Sequence, residues 1–334
     1  MPVRMKDIAE DLGLSVVTIS KVLRNHPDIA EQTRKRVMQR IEELDYQPNG
    51  MARSLVTGRS LLIGLVVPDL LHPFFAELAK ALSATMGKRG YSTIISSSEE
   101  DPELEAREIR HLAARGLDAL VIAATGNSPE PFLRLDRHGI PFILIDRELP
   151  ELSANFVGTD DEAAGRIATQ HLIERGCTTI AHIRGRENST GIQRFEGYRN
   201  ALAAAGIPYA DSLVAGGAKV DTDSEQTGAE AMRILLKHRP LPDGVFVHND
   251  PLAIGAMEAI FTAGLRIPQD IAVVGCGNLH YDSFLRVPLT SVDQNCAAIG
   301  ERCAEILLEM LQAKQRPPHR RLILEPTLAV RDSA

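Results

Sequence analysis

From Gly58 onward the chain alternates short apolar runs with amphipathic helical patterns, and few folds accommodate that rhythm. Strand-like runs occupy residues 62–67, 93–96, 119–123 and 142–145, then 179–183, 244–247 and 271–275. Helical patterns separate them near 74–89, 103–115 and 131–138, and again near 160–175, 190–205, 224–237 and 251–263. Such βαβ alternation builds parallel sheets covered by helices on both faces. The roughly 270 residues involved exceed one doubly wound sheet, so two lobes are expected. A final helix over 297–313 carries Ile299, Cys303, Ile306, Leu307 and Met310 at helical spacing, which reads as core packing. Ligands of doubly wound sheets sit beyond the carboxyl ends of the strands. The residues to inspect there are 69–75, Asp146, Arg147, Asp160, 185–194, Asn249, Asp250, Gly277 and Asn278. Many carry charged or amide side chains suited to hydroxyls or a carboxylate. Asp160, Asp161 and Asp250 also suit a plainer role, capping the helices that follow.

The first sixty residues follow a different pattern. Ile8, Ala9 and Leu12 share one face of a short helix, Gly13 breaks it, and Ser15 is placed to cap a second helix with Ile19, Val22 and Leu23 inside. Val16, Val17 and Lys21 then face outward. A third helix is expected from Glu31 to Leu44, with Val37, Ile41 and Leu44 on one side. Two short helices joined by a glycine turn form a helix-turn-helix, whose second helix can enter a DNA major groove.

A net charge of −7 argues against a nucleic-acid partner until it is partitioned. Residues 1–60 carry ten basic and eight acidic side chains, against 27 and 36 in the rest, so phosphate attraction is confined to the head. The four cysteines form no CxxC pair and read as buried free thiols; the histidines form no HExxH, and no metal or cofactor is expected. Gly275-Cys276-Gly277 gives a GxG, but His280 takes the third glycine's place, and neither GxxxxGK[ST] nor GxSxG occurs. The N-terminus enters a helix pattern at once and no apolar run could span a bilayer, so a cytoplasmic protein without membrane contact is expected.

The stretch Tyr46-Gln47-Pro48-Asn49-Gly50-Met51-Ala52-Arg53-Ser54-Leu55-Val56-Thr57-Gly58-Arg59, taken with the helix-turn-helix, resembles the lactose/galactose repressor family. The likeness continues through residues 60–69, Pro73-Phe74-Phe75-Ala76-Glu77, Ile145-Asp146-Arg147, residues 157–165, Arg194-Phe195-Glu196-Gly197-Tyr198 and Asn249-Asp250. It implies an α/β fold: a small all-α head on a two-lobed body like the type I periplasmic binding proteins. The head would span 1–46, a hinge helix 47–60 and the body 61–334. The N-lobe would comprise 61–159 and 293–322, and the C-lobe 160–292 and 323–334. The implied function is transcriptional regulation, more often repression, by a homodimer on a palindromic double-stranded operator, with a tetramer left open.

By the same resemblance Val16, Val17 and Lys21 read bases, the valines touching thymine methyls and Lys21 donating to guanine. Ser15, Thr18, Ser20, Arg24 and Tyr46 would contact the DNA backbone. Asn49, Ala52, Arg53 and Leu55 would enter the minor groove, Leu55 as a wedge at the central base step. Phe74, Asp146, Asp160, Asn188, Thr190, Arg194 and Asn249 would bind a sugar or sugar-like effector, and Arg147 and Asn278 join them by their places after strands. One departure stands out: family members commonly place an aromatic and an Asp after the strand ending at Gly275, where this chain reads Cys276-Gly277-Asn278. That weakened motif keeps open a regulator driven by a protein co-repressor. A sugar-binding protein or sugar-metabolising enzyme is the remote alternative.

Overall fold

The computed structural model describes residues 3–23, 26–46, 58–126, 128–217 and 223–334. The chain divides into two units, Met1–Ser60 and Leu61–Ala334. In the first, α1 (Met5–Leu12), α2 (Val16–Leu23) and α3 (Glu31–Glu43) follow one another. Gly13 ends α1 at φ 66°, where its N–H donates to the Glu10 carbonyl while that of Leu14 donates to Ala9. This paired closure satisfies the last carbonyls of α1 and turns the chain toward α2. Ser15 Oγ accepts the Thr18 N–H at 3.1 Å and caps α2. Ile8, Ala9, Ile19, Val22, Val37 and Tyr46 close over one another as a small core.

The body holds two six-stranded sheets. The first contains β1 (Leu62–Val67), β2 (Ser92–Ser97), β3 (Ala119–Ile122), β4 (Phe142–Ile145), β5 (Asn155–Thr159) and, from far along the chain, β11 (Arg321–Leu324). Its order is β11-β5-β4-β3-β1-β2, wholly parallel. The helices α4 (Pro73–Gly87) and α11 (Cys296–Gln312) cover one face, while α5 (Pro102–Ala114) and α6 (Glu130–Arg137) cover the other. The second sheet comprises β6 (Ile180–Arg184), β7 (Val214–Gly216), β8 (Gly244–Val247), β9 (Ala272–Cys276), β10 (Thr290–Asp293) and β12 (Thr327–Ala329). It runs β12-β10-β9-β8-β6-β7, antiparallel only at β12. Its faces are covered by α7 (Asp161–Glu174) with α8 (Ser189–Ala204), and by α9 (Ser224–Leu235) with α10 (Asp250–Thr262).

The chain passes between lobes after β5, after β10 and after β11. The last passage lies two residues beyond the expected 322, because Ile323 and Leu324 pair with Gly158 and Thr159 in the first sheet. All four cysteines are free and buried. Cys296 and Cys303 lie together in the core under α11. Among the described residues no helix is long and apolar enough to cross a membrane.

One helix contact fixes the geometry of the site. A Cβ on Gly165 of α7 would lie 2.1 Å from the Arg194 carbonyl oxygen, and one on Gly197 of α8 would lie 2.1 Å from that of Glu162. Only glycine permits this backbone-to-backbone approach. It brings the first turn of α7 against Arg194 on α8.

Candidate functional site

In each sheet the strand order reverses beside one strand, β1 in the first and β6 in the second. Such switch points open a crevice beyond the carboxyl ends of the strands. Segments following the strands of both lobes converge on a cavity of about 50 Å³. Asp69, His72, Phe74 and Phe75 enter it after β1, Glu100 after β2, and Asp146 and Arg147 after β4. From the second lobe come Arg186, Asn188, Thr190 and Arg194, then His248 and Asn249 after β8, with Gln294 at the crossing after β10.

An ion-pair network spans the cavity. Arg147 grips Glu100 with both guanidinium nitrogens, at 2.9 Å to Oε2 and 2.7 Å to Oε1. Arg186 reaches the same carboxylate from the opposite lobe. Burial would raise the Glu100 pKa, but the hydrogen bond and charge of Arg147, joined by Arg186, outweigh it and hold the carboxyl below its usual value. Glu99 and Glu100 stand at φ 47° and 56°, two successive non-glycine residues in the left-handed region. Asp146, at φ 60°, has its carboxyl pushed up by burial against the pull of Arg147.

Arg194 is 3% exposed, with its Nε donating to Asp161 Oδ1 at 2.7 Å and its Nη1 to the His248 carbonyl at 2.8 Å. Burial, opposed by Arg194, raises the Asp161 carboxyl above its ordinary value. Asn188 and Asn249 cap α8 and α10, accepting the Gly191 and Leu252 N–H groups at 2.9 Å each. Capping and lining the cavity are therefore compatible roles. Burial, reinforced by Arg147 and Arg194, lowers the His72 pKa to about 4, and His248 is driven well below its ordinary value by burial and then Arg194. Both rings are neutral at ordinary pH. His72 Nδ1, His248 Nδ1 and Gln294 Nε2 are buried and find no hydrogen-bond partner among the described residues.

Seven of the nine expected effector residues line this cavity: Phe74, Asp146, Arg147, Asn188, Thr190, Arg194 and Asn249. Asp160 does not. Its carboxylate accepts the Ala163 N–H at 2.9 Å as the cap of α7, and its neighbour Asp161 meets Arg194 instead. Asn278 does not either, because its amide nitrogen donates to Asp293 at 3.1 Å and its oxygen accepts from Arg331 at 2.5 Å. Sequence reasoning missed Glu100, His248 and Gln294 as lining residues, and placed Arg186 within the inspected stretch 185–194 without giving it an effector role. His248 and Arg186 directly follow strand patterns, which could have marked them. Glu100 and Gln294 lie in acidic or polar turns that carry no such signal.

In the head, Val16 and Val17 are exposed, at 43% and 62%, as an outward face requires. Lys21 Nζ pairs with Asp28 Oδ2 at 2.6 Å within the head. This pair is exposed and solvent-screened, hence a weak hold on the ammonium. Thr18 and Ser20 are half-buried and Ser15 is exposed. Tyr46, expected at the DNA backbone, has its ring in the head core at 8% exposure, since the helices leave an apolar gap that the aromatic fills. Arg24, Asn49, Ala52, Arg53 and Leu55 lie outside the described residues.

Two family models match. Residues 4–49 fit that of bacterial regulatory proteins of the lacI family, and residues 169–334 fit the periplasmic binding protein-like domain. The ribose operon repressor of Halalkalibacterium halodurans is 32% identical over 95% of this chain and 92% of its own. The HTH-type transcriptional regulator CelR of Thermobifida fusca is 33% identical over 98% and 96%. Among solved structures, a CelR–cellobiose complex superposes with a TM-score of 0.74 at 30% identity, covering 99% of this chain and 100% of that one. The lac repressor dimer bound to operator and the anti-inducer ONPF superposes with a TM-score of 0.86 at 25% identity, covering 100% and 99%. A helix-turn-helix with an exposed outer face, a two-lobed body and these full-length likenesses have one meaning: the chain belongs to the lacI family of bacterial regulatory proteins, and is a sequence-specific DNA-binding transcriptional regulator rather than an enzyme.

Proposed function

We propose that this regulator is a cytoplasmic repressor that binds a palindromic operator as a homodimer and answers to a sugar or sugar-like effector in the interlobe cleft. The carrying observation is the cavity itself, where both lobes present buried polar atoms still without partners, in a chain that also presents a DNA-reading helix. Arg194 and Asp146 anchor the effector from opposite lobes, with Phe74, Arg147, Asn188, Thr190 and Asn249 around it. Val16, Val17 and Lys21 read bases, Lys21 exchanging Asp28 for guanine, while Ser15, Thr18, Ser20 and Arg24 hold phosphates. By resemblance alone, Asn49, Ala52, Arg53 and Leu55 are assigned to the minor groove. Relatives support the sugar: one solved neighbour is a cellobiose complex, and a LacI family regulator from Enterococcus faecium, 28% identical with a TM-score of 0.72, holds ribose.

The test is a thermal-shift screen of pentoses, hexoses and disaccharides, because a ligand of the native state raises its melting point. Any hit is then titrated into operator-binding measurements. By linkage, operator and effector must change each other's affinity by the same factor. Operator affinity that responds to no sugar, but changes with an added partner protein, would replace this reading with a protein co-repressor.

A further inference from the structure

We propose that Glu100 and Arg186 make the cleft selective for an uncharged ligand and against its phosphorylated or carboxylated counterparts. The inference rests on the reading of this cleft as the effector site and adds the ligand's charge class.

Three guanidinium groups face the cavity, those of Arg147, Arg186 and Arg194. Left alone, such a cluster would recruit a phosphate or carboxylate, the anions whose paired oxygens arginine's planar fork matches. None is left alone. Glu100 meets Arg147 through two hydrogen bonds and also reaches Arg186 across the lobes, while Asp161 meets Arg194. Asp69 and Asp146 add two further carboxyls to the wall. An incoming anion would have to displace Glu100 and then sit desolvated among carboxylates, and like charges brought together in a buried site repel strongly.

The histidines do not alter this balance, because burial keeps His72 and His248 uncharged. What the wall still lacks, among the described residues, is partners for single polar atoms: His72 Nδ1, His248 Nδ1, Gln294 Nε2 and the Nε of Arg147, whose charge Glu100 already meets through the other two nitrogens. A hydroxyl both donates and accepts and can meet either tautomer of an imidazole, whereas an anion only accepts. Glu100 is also held in its place at a conformational cost. The successive left-handed residues Glu99 and Glu100 are of the kind that persist only where the surroundings enforce them, commonly at ligand clamps. The second lobe cannot supply this carboxylate at Gly277. That residue stands at φ 148°, and a Cβ there would lie 2.6 Å from Asp250 Oδ2.

The experiment uses the full chain, inorganic phosphate as an anion probe and chloride at matched ionic strength as control. Wild type should gain in phosphate only the general stabilisation that this salt gives a folded protein, which sets the baseline for the variants. E100Q, which keeps the shape but frees Arg147 and Arg186, should gain a few degrees beyond that baseline in phosphate. The double variant E100Q/R186Q, in which Arg147 alone is freed, should lose part of that gain. Ribose with ribose 5-phosphate, and glucose with gluconate, form a wild-type arm that does not depend on any variant folding. Wherever the neutral member binds, the anionic one should bind about a hundredfold more weakly or worse. Equal phosphate responses in wild type and E100Q, or wild type stabilised by an anionic member, would overturn the proposal. The two readings fail separately. No sugar response with a phosphate gain in E100Q removes the sugar effector and leaves the charge assignment standing. A wild type that takes both members of a pair removes only the charge assignment.

Discussion

Arg194→Ala tests whether this arginine is chiefly a ligand contact or chiefly a part of the second lobe. The side chain makes two buried bonds, to Asp161 Oδ1 at 2.7 Å and to the His248 carbonyl at 2.8 Å, and both Arg194 and Asp161 are 3% exposed. Truncation leaves the Asp161 carboxylate buried opposite a hole. Removing one partner of such a pair costs about 3–5 kcal/mol, mostly for the charge left behind. The melting point should fall by about 6–20 °C. The loss should also depend on pH. Burial already raises the Asp161 carboxyl above the unfolded value of 3.8, and without Arg194 it rises further. A raised native pKa gives stability that is complete below the unfolded pKa and is lost as pH climbs through the native one. The deficit of Arg194→Ala should therefore be smaller at pH 5 than at pH 8, as read by urea denaturation. A deficit under about 1 kcal/mol at neutral pH, unchanged at pH 5, would refute the argument and return Arg194 to a pure ligand role.

Four further outcomes follow from the same geometry. Gln294→Leu removes a buried Nε2 that has no partner among the described residues, so operator binding should persist while effector affinity falls about tenfold or more; an unchanged affinity would take Gln294 out of the site. Gly277→Asp, which restores the carboxylate common in the family, should destabilise by about 2–4 kcal/mol through its φ of 148° and its collision with Asp250; a tighter-binding variant of normal stability would contradict this. Glu105 is 2% exposed and burial raises its pKa from 4.5 to about 7, so stability should decline as pH rises from about 4.5 through 7, and Glu105→Gln should flatten that slope in denaturation curves; identical slopes would show that the carboxyl ionises freely. Exchanging Val16 and Val17 for other side chains should change the preferred half-site by about 1–3 kcal/mol per altered base pair, and selection on randomised DNA returning one motif for both proteins would withdraw the assignment.

Much of the fold was legible because it is written in period and punctuation. The run Ile63-Gly64-Leu65-Val66-Val67 is buried on both faces and reads as continuous apolar sequence, as a central parallel strand does. Strands β5, β7, β10, β11 and β12 left no comparable trace. They are three to five residues long, and Asn155, Ser291 and Arg321 interrupt their apolar character. The buried Asn155 side chain accepts the Arg320 N–H at 2.9 Å and so joins the two distant segments, a role invisible to periodicity. The cleft was legible where a carboxylate or amide stands just beyond a strand, as at Asp146 and Asn249, while the imidazole of His248 between β8 and Asn249 was passed over. It was illegible at Glu100, whose carboxylate is aimed by the left-handed backbone of an otherwise ordinary acidic turn. The choice between Asp160 and Asp161 turned on one residue of helix phase: the first caps α7, the second points inward to Arg194.

The same contacts that shape the cleft also hold it shut. Besides Glu100 with Arg186, the Glu148 N–H donates to Ser189 Oγ at 2.9 Å, Asn249 meets His72 at 3.3 Å, and Glu77 lies 3.5 Å from His280, each pair joining one lobe to the other. A cavity of about 50 Å³ leaves little free room between these side chains. On the proposed reading a sugar is admitted when the lobes separate, and they close again around it. Its apparent affinity is then the intrinsic one reduced by the fraction of chains that are open, so an open state populated at about 1% weakens binding about a hundredfold. The Glu148–Ser189 and Glu77–His280 contacts lie outside the cavity lining and so set effector sensitivity without touching effector. On the proposed reading, in which lobe opening also governs operator binding, a variant that loosens Glu148 from Ser189 should move ligand affinity and ligand-free operator affinity together. Gln294→Leu, a ligand contact alone, should move only the first. Measuring both affinities for both variants separates a latch from a binding residue, and a Ser189→Ala protein that changes ligand affinity with no change at the operator would place Ser189 in the binding site itself.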